Sequence, residues 1–154
     1  MIYLAAPYTD PDVNTRNWRY HRAREALFAL WEAQCAACCP IVLGHEYEQR
    51  QRSGPKHLPH DFWMQMARIQ VLACTSVYVL TLPGWEKSVG VRDEVTLAAS
   101  CGRTIQGYAP FDPCQDVSGL YIRQTFGVEP PKRRMPLQAM RTLTHREKDD
   151  EEHF

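Results

Sequence analysis

Glu94, Ser88 and the glycines Gly84 and Gly90 stand close together in PGWEKSVGVRDE, residues Pro83–Glu94. The run before it, SVYVLTL, reads as a buried strand, and the run after it, EVTLAASCG, as a helix closed by Gly102. Gly84 and Gly90 let a backbone turn sharply and approach a ligand. The amides of Val91, Arg92 and Asp93 would open the helix, and free N–H groups at a helix start bind anions. Ser88 adds a hydroxyl beside them. Glu94, placed in the helix's first turn, sits in a field that favours its ionised form, which suits a nucleophile better than a general acid. Acids also occupy first turns simply because they stabilise the dipole, so the spacing alone leaves both readings open.

Other groups gather near the same strand ends. Arg16 and Arg19, three apart on one helix face after the first strand, suit a phosphate or form a solvated basic face. His45, read as ending a second strand CPIVLG, points to the same cleft as Glu94. A Walker loop is excluded because Lys87-Ser88 lacks the preceding glycine spacing. A zincin helix is excluded because Gln49 stands where the second histidine belongs.

The elements that must hold these groups alternate. IYLAA is a strand, and PYTDPD is turn chemistry. A helix spans about Val13–Gln34, then comes the CPIVLG strand, then a loop over HEYEQRQRSGPKHLPH. A second helix spans about Asp61–Cys74, with Asp61 read as its cap in preference to a site residue. SVYVLTL, a third helix over about Arg92–Cys101, and the strand RTIQGYA follow. Alternation of this kind predicts a doubly covered α/β fold with a parallel sheet of about five strands, flavodoxin-like in outline.

The chain of 154 residues has 44% hydrophobic and 23% charged residues, which fits one globular domain. Eighteen basic residues balance eighteen acidic ones, so no overall field draws it to a nucleic-acid polymer or an anionic membrane. No apolar stretch approaches the ~20 residues of a membrane span, and MIYLAAPY lacks a basic leader region; a cytoplasmic protein is expected. The six cysteines offer one CxxC spacing, Cys35–Cys38, without the second pair a zinc ribbon requires, so buried free thiols are expected and no metal. From Pro110 the character changes to EPPKRRMP and then REKDDEEHF. Residues 110–154 read as an extension, partly mobile or in contact with another subunit, with LQAMRTL able to supply a short helix.

IYLAAPY, PGWEKSVGVRDE and AASCG together resemble the nucleoside 2-deoxyribosyltransferase-like superfamily, and its phage and bacterial branch in particular, over residues 1–109. The resemblance implies that Glu94 is a nucleophile at the anomeric carbon of a nucleoside or nucleotide, and that Tyr3 orients its carboxylate. It implies that Ser88, with Gly90 and Val91, holds a 5′-phosphate, where relatives acting on free nucleosides carry aspartate. Tyr8 and Trp85 are then candidates to stack on the base or wall it, and His45 to protonate it. No cofactor is needed, and relatives are dimers or larger. Relatives also carry an aspartate in the second helix, where this chain has Ala67. The expected function is hydrolysis of the N-glycosidic bond of a (deoxy)nucleoside 5′-monophosphate. Its rivals are deoxyribosyl transfer between bases, a nucleotide-sensing module that does not cut, and an interaction protein using its extension.

Overall fold

Residues with apolar side chains on both faces form the central strand β1 (Ile2–Ala5), in which Tyr3, Leu4 and Ala5 are buried. The structure is a computed structural model and describes residues 1–50, 58–111 and 117–129. Around β1 stand β2 (Ala37–Cys38), β3 (Ser76–Leu80) and β4 (Thr104–Tyr108), all parallel, in the order β2-β1-β3-β4. The sheet therefore has four strands among the described residues, where about five were expected. Among the described residues five α-helices accompany it: α1 (Val13–Glu32), α2 (Pro40–Arg50), α3 (His60–Ala73), α4 (Val89–Ser100) and α5 (Gly119–Thr125).

Because side chains alternate along a strand, the sheet divides its core in two. Leu4 and Leu80 pack with Tyr20, Ala23, Leu27 and Leu30 of α1 and Val42 of α2. Tyr3, Val77, Val79 and Ile105 pack with Val71 of α3, Val91 and Val95 of α4 and Ile122 of α5. The result is a three-layer α/β sandwich of the Rossmann or flavodoxin kind. Among the described residues no helix is long and apolar enough to cross a membrane.

Several expectations are corrected. CPIVLG is not a strand: β2 ends at Cys38 and α2 begins at Pro40, so His45 sits on a helix, and the expected loop is helical up to Arg50. Proline suits a first helical position. α4 starts at Val89 rather than Arg92, with Ser88 as its cap. Asp61 lies in the first turn of α3, whose cap is Pro59. The extension, finally, is part of the fold at its start. α5 lies against β4, where a Cβ on Gly119 would fall 1.8 Å from the Ile105 carbonyl oxygen. Only glycine permits that approach. LQAMRTL and Cys114 lie outside the described residues.

Candidate active site

The strand order reverses between β1 and β3, so the loops leaving their carboxyl ends diverge and open a crevice, the usual ligand position in such sheets. One wall is the loop from Ala6 to Asp12. Asp12 caps α1 by accepting from the Asn14 and Thr15 amides. Arg16 donates to the Asp10 and Pro11 carbonyls. Arg19 donates to the Thr9 carbonyl at 2.9 Å, pairs with Asp10 at 3.3 Å, and reaches the Pro83 carbonyl on the opposite wall at 3.4 Å. Arg16 thus fixes the first loop through Nη1 alone, and Arg19 links the two loops.

The second wall runs from Thr81 to Ser88. Gly84 turns it with φ +88°, a left-handed conformation that disfavours other residues. A 3-10 turn over Trp85–Lys87 follows, and the Ser88 hydroxyl oxygen then accepts from the Val91 amide at 3.4 Å. Ser88 is therefore the N-cap of α4. The amides of Val89 and Gly90 have no partner among the described residues. Val91 itself is buried, so only its amide faces this end of the helix. Gly90 is helical, not a turn residue, and a Cβ there would meet nothing within 4 Å.

Glu94 lies one turn deeper than the sequence suggested. Six residues past the cap, it is beyond the reach of the terminal field. Its side chain leans toward the helix start, over the turn that Gly90 leaves bare. The residue as a whole is half-buried, but its carboxyl end is inside. Tyr3 Oη donates to Oε1 at 2.6 Å, while Oε2 is buried without a partner. Burial pushes the Glu94 carboxyl up to about 8, against the lowering effect of the Tyr3 hydrogen bond and with a small further rise from Asp93. The expected ionised resting state is thus overturned: the acid is mostly protonated at neutral pH. Burial, then the Glu94 charge, hold the Tyr3 phenol well above its usual range.

Residues 1–109 match the family described as a domain of unknown function, DUF1937. The chain belongs to that family. No curated protein matches it. The DUF1937 match closes just after β4, although the packed body continues into α5.

Within this DUF1937 chain the predicted site residues separate into groups. Tyr3 and Glu94 meet directly, and Ser88, Gly90 and Val91 form the first turn of the helix that carries Glu94. Tyr8 and His45 form a different pair, 2.9 Å between Tyr8 Oη and His45 Nδ1. His45 is buried and stacked on Tyr20 at 3.9 Å, and burial lowers its pKa. It borders a cavity of about 490 Å³ between α1 and α2 that neither Tyr3, Ser88 nor Glu94 lines. The volume of an opening and the position of the unusual acid therefore do not coincide. We assign the site by the acid, because its unmet buried oxygen belongs to an ionisable group whose pKa burial shifts strongly. Trp85 is no wall of the crevice: it is 4% exposed and meets Tyr121 and Phe126 edge-on.

One residue escaped the sequence, and Ala67 was singled out through resemblance alone. Cys39 lies close enough that Glu94 helps to raise its thiol to about 12, after burial. Ala67 packs in the cluster that holds Tyr3, so the alanine lies on the Glu94 side of the sheet. Neither position carries a spacing signal. Cys38 and Cys74 bring their sulfurs to 3.8 Å as free thiols, and Cys101 is exposed where a buried thiol was expected. Among the described residues no three His, Cys, Asp or Glu side chains gather to hold a metal.

Proposed function

We propose that this protein cleaves the N-glycosidic bond of a (deoxy)nucleoside 5′-monophosphate, with Glu94 as nucleophile. One observation carries the reading: a buried carboxyl group at the switch point of the sheet, bonded by Tyr3 through one oxygen and unpartnered at the other. A carboxyl stripped of water is a stronger nucleophile once ionised, and positive charge developing at C1′ favours that ionisation. Glu94 Oε2 bonds to C1′ as the C1′–N bond breaks; the bond's electrons leave with the base, which takes up a proton. Water then attacks C1′, the ester bond to Glu94 breaks, and the carboxylate returns with release of the water's proton. Tyr3 is a positioning residue, holding Oε1 so that Oε2 faces the reacting carbon.

The phosphate lies at the start of α4, where the Val89 and Gly90 amides and the Ser88 hydroxyl are supporting donors. The absent side chain at Gly90 leaves room between that point and Glu94. Tyr8, held by His45, stands on the facing loop. On this reading the protein acts in the cytoplasm as a homodimer or larger assembly.

A second reading is favoured by the same acid. With Glu94 mostly neutral and Ala67 in place of a second carboxyl, the crevice suits nucleotide binding without cleavage. Incubation with each common and several modified nucleoside monophosphates, followed by chromatography for free base, separates the two. Release by the native protein and none by Glu94→Gln supports cleavage. Thermal stabilisation without release supports sensing. Added acceptor bases that yield new nucleotides would instead indicate transfer.

A further inference from the structure

α3 carries apolar side chains on two opposite faces. Ala67 and Val71 turn to the core. Opposite them, Phe62, Ile69, Leu72 and Ala73 are exposed and Met66 is half-buried, Ile69 reaching 60% exposure. At about 100° per residue these five fall within an arc of about 120°, the width of a full core-facing stripe. Scattered exposed leucines are ordinary, but a second continuous stripe on one helix is the mark of a covered surface.

The chain's own course points to the cover. Glu129, the last described residue, is tied to the carboxyl end of α3 through two arginines. Arg123 donates to the carbonyls of Glu129 at 3.2 Å and Arg103 at 3.1 Å, and Arg103 donates to the Leu72 carbonyl at 2.7 Å. The described chain therefore ends beside one end of the exposed stripe.

We propose that residues 137–143 of this extension lie along the outer face of α3 and run antiparallel to it. Leu137, Met140 and Leu143 recur every three residues in PLQAMRTL, as one face of a short helix requires. Lys132, Arg133 and Arg134 come first, where the carboxyl end of α3 presents partial negative charge. The eight residues from Glu129 to Leu137 span up to ~26 Å when extended, whereas the stripe from Phe62 to Leu72 is about 15 Å long. The tether is long enough and starts at the right end. A second copy of the chain would bury the same stripe but would leave the position of this exit without a role.

The test uses the full-length chain with a photoreactive benzoylphenylalanine in place of the exposed Ile69. After irradiation, the expected product has the mass of one chain, with position 69 joined to a peptide from 135–146. Changing Leu137, Met140 and Leu143 to Gln in the same chain should abolish that product, while far-UV circular dichroism keeps the signal of the folded sandwich. A product of two-chain mass, absence of any cross-link, or a yield indifferent to the triple change would each overturn the proposal.

Discussion

Tyr3 and Tyr8 stand on the two sides of the sheet, and each meets one titratable group. Tyr3 packs with α3 and α4 and bonds Glu94; Tyr8 packs with α1 and α2 and meets His45. Burial acts on both partners and favours the neutral form of each, raising the acid to about 8 and lowering the imidazole. Yet the two pairs are finished to different degrees. His45 is clasped by a hydroxyl on one side and the Tyr20 ring on the other. Glu94 is clasped through one oxygen only. Desolvation alone does not mark a site; an unmet polar atom beside open space does.

The largest effect expected from breaking this asymmetry is on turnover. Glu94→Gln should lower base release by on the order of 10³-fold or more, because a carboxamide cannot form the covalent bond. Its fold should persist, since the amide oxygen still accepts from Tyr3; thermal melting checks this. Stability should depend on pH in opposite senses for the two pairs. Glu94, raised in the folded protein, contributes stability that is fully present below about pH 4.5 and is lost as pH rises through about 8. His45, lowered in the folded protein, contributes stability present above pH 6.5 and lost as pH falls through its folded value. Glu94→Gln should remove the first slope and His45→Gln the second, as read by urea melts across pH.

Activity should follow the acid. With ionised Glu94 required, kcat/KM should rise with pH to a plateau above about 8. Tyr3→Phe removes the hydrogen bond that favours the carboxylate, so the same rise should move to higher pH. His45→Gln should leave it in place.

The smaller effects lie at the helix start. Ser88→Gly should cost only a few tenths of a kcal/mol, because glycine is itself an acceptable cap. If Ser88 also holds phosphate, the variant should raise KM for a nucleoside monophosphate far more than for the free nucleoside. Gly90→Ala should stabilise α4 by up to about 1 kcal/mol, since the added methyl meets nothing. It should nevertheless slow cleavage, because it enters the space over Glu94.

How far these pairs were legible in the sequence differs with the physics behind them. Buried runs such as IYLA and SVYVL declare a parallel strand by composition, and β1, β3 and β4 were read from them. CPIVLG is equally apolar, but six such residues do not separate a strand from a helix; Pro40 at the helix start was the missed signal. α5 was hidden because Ile122 is its one fully buried apolar residue, although Ser118 caps it in the ordinary way. The meeting of Tyr3 with Glu94 spans most of the chain, and no local pattern encodes it; it was expected through resemblance alone. The state of Glu94 was misread because the helix begins three residues earlier than expected and desolvation outweighs its field.

The most direct test of the central claim is mass spectrometry of the protein quenched with acid during turnover of its best nucleotide. The account predicts a peptide containing Glu94 that is heavier by one sugar phosphate residue, absent from Glu94→Gln. Free base released with no such adduct, and at an equal rate by Glu94→Gln, would contradict it.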